Sequence, residues 1–331
     1  MSDLMFGLLI IILVAGSCLY GYFLHRNQIF PYQPVKALFR KLAAQGYSDH
    51  GWAIGTYVGP SPFHSKALLN IKKPALTAHD VTDMEANSVG DPFIIRSGSC
   101  WYMFFEAIRR VDGVGVIGLA ESENGKDWKY KQVVIEEPFH LSYPYVFEWE
   151  NDHYLIPESS QDYSVRIYRA IDFPCKWEYA GDLLKGYHFV DSSILRHDNL
   201  WWLFVSTKEN DVLNLYYAEA LMGPWTQHPH SPIVRDNHSA ARPAGRVLMM
   251  DGKLYRFAQD DHLAYGSQVL AFEISEISRT TYKESPAFGG PVVKGSQAGW
   301  NADRMHHIDA HLLEDGQWLV AVDGFREASY K

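Results

Sequence analysis

Residues 91–106 read DPFIIRSGSCWYMFFE. An acid and a proline open the stretch, and an apolar run follows. A Ser-Gly-Ser turn then leads into an aromatic-rich run that ends on Glu106. Two strand-forming runs separated by a short glycine-containing turn predict a β-hairpin, here bracketed by carboxylates.

The pattern recurs along the chain. YPYVFEWENDHYLIPE (143–158) repeats the proline and the closing acid, each at an offset of 52 residues. DSSILRHDNLWWLFVS (191–206), RPAGRVLMMDGKLYRFAQ (242–259) and DAHLLEDGQWLVAVD (309–323) follow the same plan. A second anchor falls between copies: strands ending in Ala120, Ala170 and Ala218 pass through a turn to Trp128, Trp177 and Trp225, with Tyr282 in a fourth version. Each unit therefore holds four strands at a period of about 50 residues, the signature of a propeller blade. The predicted fold is all-β, a five-bladed β-propeller over residues 51–331. Its last copy has only an inner hairpin, so WAIGTYVG (52–59) is expected to supply the outer strand of blade five and close the ring. Residues 283–305 form the longest irregular stretch, and long loops on rigid scaffolds often carry function.

Residues 1–26 read differently. Leu4 to Leu24 carries no charge, and those residues make a helix of about 31 Å, enough to cross a hydrocarbon core. The only charged side chain ahead of it is Asp3, which argues against a cleaved signal peptide. A single-pass anchor over residues 1–26 and a tether over residues 27–50 are expected, with the lipid bilayer as partner through residues 4–24. Arg26, Lys36, Arg40 and Lys41 follow the span and favour a cytoplasmic propeller, although large domains also translocate regardless of charge.

The net charge of −9 supplies no basic face for nucleic acid. Cys18, Cys100 and Cys175 are too few and too scattered for a disulfide framework or a zinc site.

In a propeller the inner strands line the axis, so their opening residues gather near one mouth. By blade these are Asp91, Tyr143, Asp191, Arg242 and Asp309, with His306 and His307 just before the last and His311 just after it. The second strands end at Glu106, Glu158, Ser206, Gln259 and Asp323. Carboxylates, an arginine and histidines in one funnel make a carbohydrate site: acids accept from hydroxyl pairs, and aromatic rings such as Trp101, Tyr143 and Tyr145 face C–H surfaces. Two carboxylates can also cleave a glycosidic bond, with retention at a separation of about 5 Å or inversion at roughly 6.5–9.5 Å. In that case Asp91 is the base or nucleophile and Glu158 or Asp191 the acid. Glu106, Tyr143, Arg242, His307, Asp309 and His311 would bind substrate. Plainer readings stand beside these. Asp before Pro is a common turn residue, Glu106 and Glu158 fit solvated strand ends, and HHIDAH (306–311) lacks zinc spacing. No cofactor is assigned, and a metal on the axis stays open.

The segments WAIGTYVGPSPF, DVTDMEANSVGDPFII, WYMFFEA, EEPFHLSYPYVFEWENDHYLIPES, FVDSSIL, WWLFVST, GPWTQHPHSPIV and ARPAGRV…YRFAQD resemble the N-terminal domain family of plant glucosamine inositolphosphorylceramide transferases, also found in bacterial proteins of polysaccharide loci. That family is similar in fold to the five-bladed family 43 glycoside hydrolases, which also open a blade with Asp-Pro. The resemblance implies Asp91 as a channel carboxylate. It also implies a second acid in blade two, where this chain has Tyr143, and an acid before Gly-Pro or Cys-Pro in blade three, where it has Val190-Asp191-Ser192. The plant enzymes join the propeller to a separate glycosyltransferase domain, which is not expected within these 331 residues. The leading expectation is a membrane-anchored propeller that recognises or processes a glycan or glycolipid in cell-surface polysaccharide metabolism. The alternatives are a non-catalytic scaffold partnering a glycosyltransferase, and a glycoside hydrolase using the channel carboxylates.

Overall fold

The hairpin of residues 91–106 forms the inner half of a four-stranded antiparallel sheet in the computed structural model, which describes residues 51–63 and 71–327. The chain enters through β1 (Gly51–Gly59). Blade one is β2 (Ala86–Ser97), β3 (Cys100–Arg109), β4 (Gly115–Ser122) and β5 (Lys129–Ile135). Blade two is β6 (Ser142–Trp149), β7 (Asp152–Glu158), β8 (Ser164–Asp172) and β9 (Lys176–Lys185). Blade three is β10 (Phe189–His197), β11 (Leu200–Thr207), β12 (Leu213–Ala218) and β13 (Thr226–Gln227). Blade four is β14 (Leu248–Met250), β15 (Lys253–Asp260), β16 (Gln268–Ile277) and β17 (Tyr282–Pro286), with β18 (Val293–Lys294) also on β16. Blade five is β19 (Ile308–Leu312) and β20 (Trp318–Arg326), completed by β1.

Ring closure follows the expectation for residues 52–59. β1 pairs antiparallel with β20 over its whole length, from Gly51 opposite Arg326 to Gly59 opposite Trp318. Part of the segment from 283 to 305 is regular structure rather than loop. It adds strands to blade four and buries Trp300, Asn301 and Met305, and none of its residues lines the cavity described below. Trp300 packs so closely on β1 that a Cβ at Gly55 would come within 2.6 Å of its ring, which accounts for the glycine there.

The recurring tryptophans have a common task. The indole N–H of Trp128, Trp177 and Trp225 donates to Gly125 O, Pro174 O and Leu221 O, at 3.0, 2.9 and 3.2 Å. Each ring thus closes the turn before an outer strand while its body covers the sheet, a use suited to an amphipathic ring.

Blade four departs from the repeat. The sequence pattern starts its inner strand at Arg242, but paired strand covers only Leu248–Met250. Pro243 has no N–H to offer a ladder. Gly245 pairs in parallel with Ile308 of blade five instead, so the two blades join directly at the axis. Its φ is +139°, and a Cβ there would lie 1.8 Å from Ile308 O.

The propeller belongs to one compact unit, Asp49–Lys331. The span expected at residues 4–24 and the tether at 27–50 lie outside the described residues, among which no helix is long and apolar enough to cross a membrane.

Candidate functional site

Blades one to three put their opening residue in the same unusual conformation. Asp91, Tyr143 and Asp191 have φ values of 51°, 46° and 46°, the left-handed region that non-glycine residues seldom occupy. Each lies at a register shift in its inner hairpin. These are β-bulges, which re-aim a side chain beside the ladder. Each strained residue costs on the order of 1–3 kcal/mol and persists only where its surroundings hold it. The holding groups link the blades: Tyr143 N donates to Asp91 Oδ2 at 3.3 Å, and Asp91 N to Asp323 Oδ2 at 3.2 Å.

A cavity of about 330 Å³ adjoins these bulges. Asp91, Glu106, Glu158 and Arg242 line it together. The acids that bracket the opening hairpin therefore face one space. His140, His188, Lys208 and Tyr265 also line it, and sequence reasoning missed all four because they sit in connections outside the repeat.

The other predicted residues are placed differently. Asp191 is buried and accepts from Arg242 Nε at 2.6 Å and Gln259 Nε2 at 2.9 Å. It anchors the cavity arginine and does not line the cavity. Tyr143 is not a sugar wall. Its hydroxyl lies 2.9 Å from Ser193 Oγ and accepts from Gly245 N at 2.6 Å, so it ties blades two, three and four together. Asp309 Oδ2 accepts from Ile94 N at 2.7 Å and lies 3.2 Å from His311 Nε2, while its Oδ1 accepts from Arg246 Nε at 2.9 Å. Burial would raise its pKa, but Arg246 and His311 outweigh burial and hold it well below the usual carboxylate range. Asp309 and His311 are thus a clip between blades outside the cavity lining. His307 is fully buried, with neither ring nitrogen hydrogen-bonded. Burial pushes it down to about 4, so it is neutral at physiological pH.

His306, its neighbour, is the opposite case. Burial alone would lower its pKa, yet Asp323 and then Asp91 push it up to about 9. Its Nδ1 lies 2.6 Å from Asp323 Oδ2, off the line of a hydrogen bond, and its Nε2 is 3.9 Å from Asp91 Oδ1. Trp52 of β1 stacks on it at 4.0 Å, a favourable seat for an imidazolium. Asp91, His306 and Asp323 offer donor atoms within 4.8 Å of one another. They would fit one cation only if His306 gave up its proton, because a protonated ring has no lone pair to donate.

Burial tunes two of the cavity carboxyls, Asp91 and Glu158. Asp91 is raised well above the usual range, chiefly by desolvation and against the pull of His306. Its Oδ1 has no hydrogen-bond partner. Glu158 is raised to about 7 by desolvation and by Asp191, against Arg242 and His140. Glu106 is bound by His140 Nε2 at 2.9 Å, while His140 Nδ1 accepts from Gly115 N at 2.9 Å, so the neutral ring carries its proton on Nε2.

Glu158 makes the stability of the fold depend on pH. Its folded pKa of about 7 lies above the unfolded value. Between roughly pH 4.5 and 7 the folded state holds more protons, so this residue's contribution falls as pH rises through that window. Melting curves at pH 5 and pH 8 should show Glu158→Gln losing part of the wild-type drop in Tm on going to pH 8. An identical drop in both proteins would contradict the assignment.

Comparison with known proteins agrees with this architecture. The chain is 35% identical over 304 residues to glucosamine inositolphosphorylceramide transferase 1 of Oryza sativa subsp. japonica, covering 85% of this chain and 41% of the relative. It is 31% identical over 305 residues to the Arabidopsis thaliana protein of that name, covering 85% and 40%. It thus spans about two-fifths of the curated relatives' length. Among solved structures, a family 117 glycoside hydrolase from Zobellia galactanivorans matches with a TM-score of 0.50 at 15% identity, covering 74% of this chain and 87% of the other. An exo-β-1,3-galactanase from Clostridium thermocellum matches with a TM-score of 0.53 at 14% identity, covering 66% and 54%. These two show the fold alone. The family model described as glucosamine inositolphosphorylceramide transferase 1, N-terminal, matches residues 45–325, and the chain belongs to that family.

Proposed function

We propose that the propeller binds the hydroxyl-rich head group of a glycolipid in the cavity lined by Asp91, Glu106, Glu158 and Arg242. The observation that carries this reading is the convergence of three carboxyl side chains and Arg242 on one cavity. Asp91 Oδ1 is buried and unpartnered, while Arg242 spends its donors on Asp191, Asn210 and Glu158. Sugar and cyclitol hydroxyls both donate and accept, so they suit a cavity lined by carboxyls in either protonation state. The names of the rice and Arabidopsis relatives supply the chemical class: an amino sugar and an inositol phosphate on ceramide.

Recognition is favoured over hydrolysis. Only two of the three proposed catalytic carboxyls, Asp91 and Glu158, reach the cavity. Burial also works against a charged Asp91, the form a base or nucleophile needs. A glycosyltransferase partner is the second reading, favoured by the large part of each relative that this chain does not cover. A membrane anchor at residues 4–24 is part of the proposal and rests on the uncharged sequence there.

The test is binding by the full chain in nanodiscs to glucosamine, myo-inositol 1-phosphate and inositolphosphorylceramide, read by saturation-transfer NMR and calorimetry. At least one probe is expected to bind, and Asp91→Ala to weaken it by roughly tenfold through loss of a buried hydrogen bond. No binding at millimolar probe would overturn recognition. Cleavage products from wild type and none from Asp91→Asn would replace it with the hydrolase reading.

A further inference from the structure

The propeller has two faces, and its strands define them. Asp91 and Glu106 lie toward the end of the blade-one sheet where Ala86 pairs with Arg109, so the β3–β4 turn belongs to the cavity mouth. So do the β7–β8 and β15–β16 connections, which send Ser160, Gln161 and Tyr265 into the lining, and the β9–β10 connection, which sends His188. The apolar side chains on these connections are exposed: Val111 is 83% exposed, Leu263 88%, Tyr163 53% and Tyr187 51%. Tyr163 is held in the left-handed region, with φ of 56°, and its ring lies 4.1 Å from that of His188 in the cavity wall. The opposite face also exposes apolar hairpin tips, Ile171, Met222, Met249 and Leu312, but none of these is aromatic and none approaches the exposure of Val111 or Leu263.

The chain joins the propeller on the mouth face as well. Gly51 pairs with Arg326 at the mouth end of β20, and Trp52 packs on Tyr265 and His306. The 26 residues from 25 to 50 separate this point from the uncharged segment. That length, roughly 90 Å if fully extended, would reach either face, so the rim side chains decide the orientation.

We propose that the mouth face rests on a zwitterionic lipid bilayer, with Val111, Leu263, Tyr163 and Tyr187 in the interface. Two aliphatic tips among tyrosines suit that layer, where amphipathic rings concentrate at head-group level. The net charge of −9 gives no attraction to anionic lipid, so apolar insertion is the driving term. A cavity opening onto the bilayer receives a lipid-borne head group directly. This last point rests on the glycolipid reading above, whereas the docking itself does not.

The test places an environment-sensitive fluorophore at Val111→Cys, Leu263→Cys, Met249→Cys or Leu312→Cys of the full chain lacking its native cysteines, in phosphatidylcholine vesicles carrying a lipid quencher. Quenching at 111 and 263 is expected to be at least about three times that at 249 and 312 for insertion to head-group depth, and unchanged by about 0.5 M salt. Hydrogen exchange on the unmodified chain in phosphatidylcholine nanodiscs should show protection of the 109–115 and 260–268 turns, lost in Val111→Asp/Leu263→Asp. This covers the case where cysteine removal harms folding. Equal quenching on both faces, greater quenching at 249 and 312, or contact that requires anionic lipid would overturn the proposal. So would turns protected only when a protein partner is added. No substrate is needed, so the result is independent of whether the cavity binds a glycan.

Discussion

Gly245→Ala should leave little or no folded protein. A Cβ at this position lies 1.8 Å from Ile308 O and 2.8 Å from Ile308 C. Both are backbone atoms of blade five, which no rotamer change can move aside. The φ of +139° is also closed to an L side chain. The contact is the parallel bridge that joins blades four and five at the axis, and Tyr143 and Ser193 both hydrogen-bond to Gly245. Displacing it therefore disturbs four blades at once. A loss beyond roughly 4 kcal/mol is expected, in the range reserved for strained or clashing sites. Gly289→Ala is the control, since a Cβ there meets nothing within 4 Å and should change stability by about 0.5 kcal/mol or less. If both variants melt near wild type, the close approach at Gly245 is wrong.

Arg242→Met should cost about 3–5 kcal/mol, the usual consequence of removing one partner from a buried ion pair. Arg242 is the counter-charge for Asp191, which is 1% exposed, at 2.6 Å, and it lies 3.7 Å from Glu158. Its guanidinium also bonds Asn210 and sits 5.2 Å from the Tyr265 ring centre. Without it Asp191 keeps Gln259 as its side-chain donor, and a buried carboxylate is left without a cation. For a domain of this size the loss corresponds to a Tm lower by roughly 10 °C. The double variant Arg242→Met/Asp191→Asn should recover a substantial part of it, because the orphaned charge goes as well. A single-variant loss below about 1 kcal/mol, or a double variant that merely adds a second loss, would show that the pair is not what holds this part of the ring.

Much of this molecule was legible as pattern. Hairpins repeat because each blade must bury two faces of a sheet against its neighbours, and that requirement writes alternating apolar residues and turn signals at a regular spacing. The recurring tryptophans were visible for the same reason, and their indole bonds to turn carbonyls explain the spacing. Residues 52–59 could be assigned to blade five because an open ring would leave two unpaired edges.

The site was legible only in part. Asp91, Glu106, Glu158 and Arg242 were found because they fall at fixed positions of the repeat, and the structure brings all four to one cavity. Tyr143 and Asp309 occupy equivalent positions yet serve the ring itself, as brace and clip. Position in a repeat specifies which end of a blade a residue occupies. It does not specify which neighbour satisfies the residue's polar atoms.

The sequence by itself determined the blade count, the closing strand and the list of axial candidates, because these depend on local periodicity and on the need to pair every edge. Tertiary structure alone decided three further matters. It set which candidates line the cavity, which backbone positions bulge, and how nearby carboxylates divide two buried neighbouring histidines, pushing His306 up while His307 stays low. Each of these depends on groups from different blades meeting in a space with little water, where a single carboxylate or ring nearby reverses a side chain's preferred state.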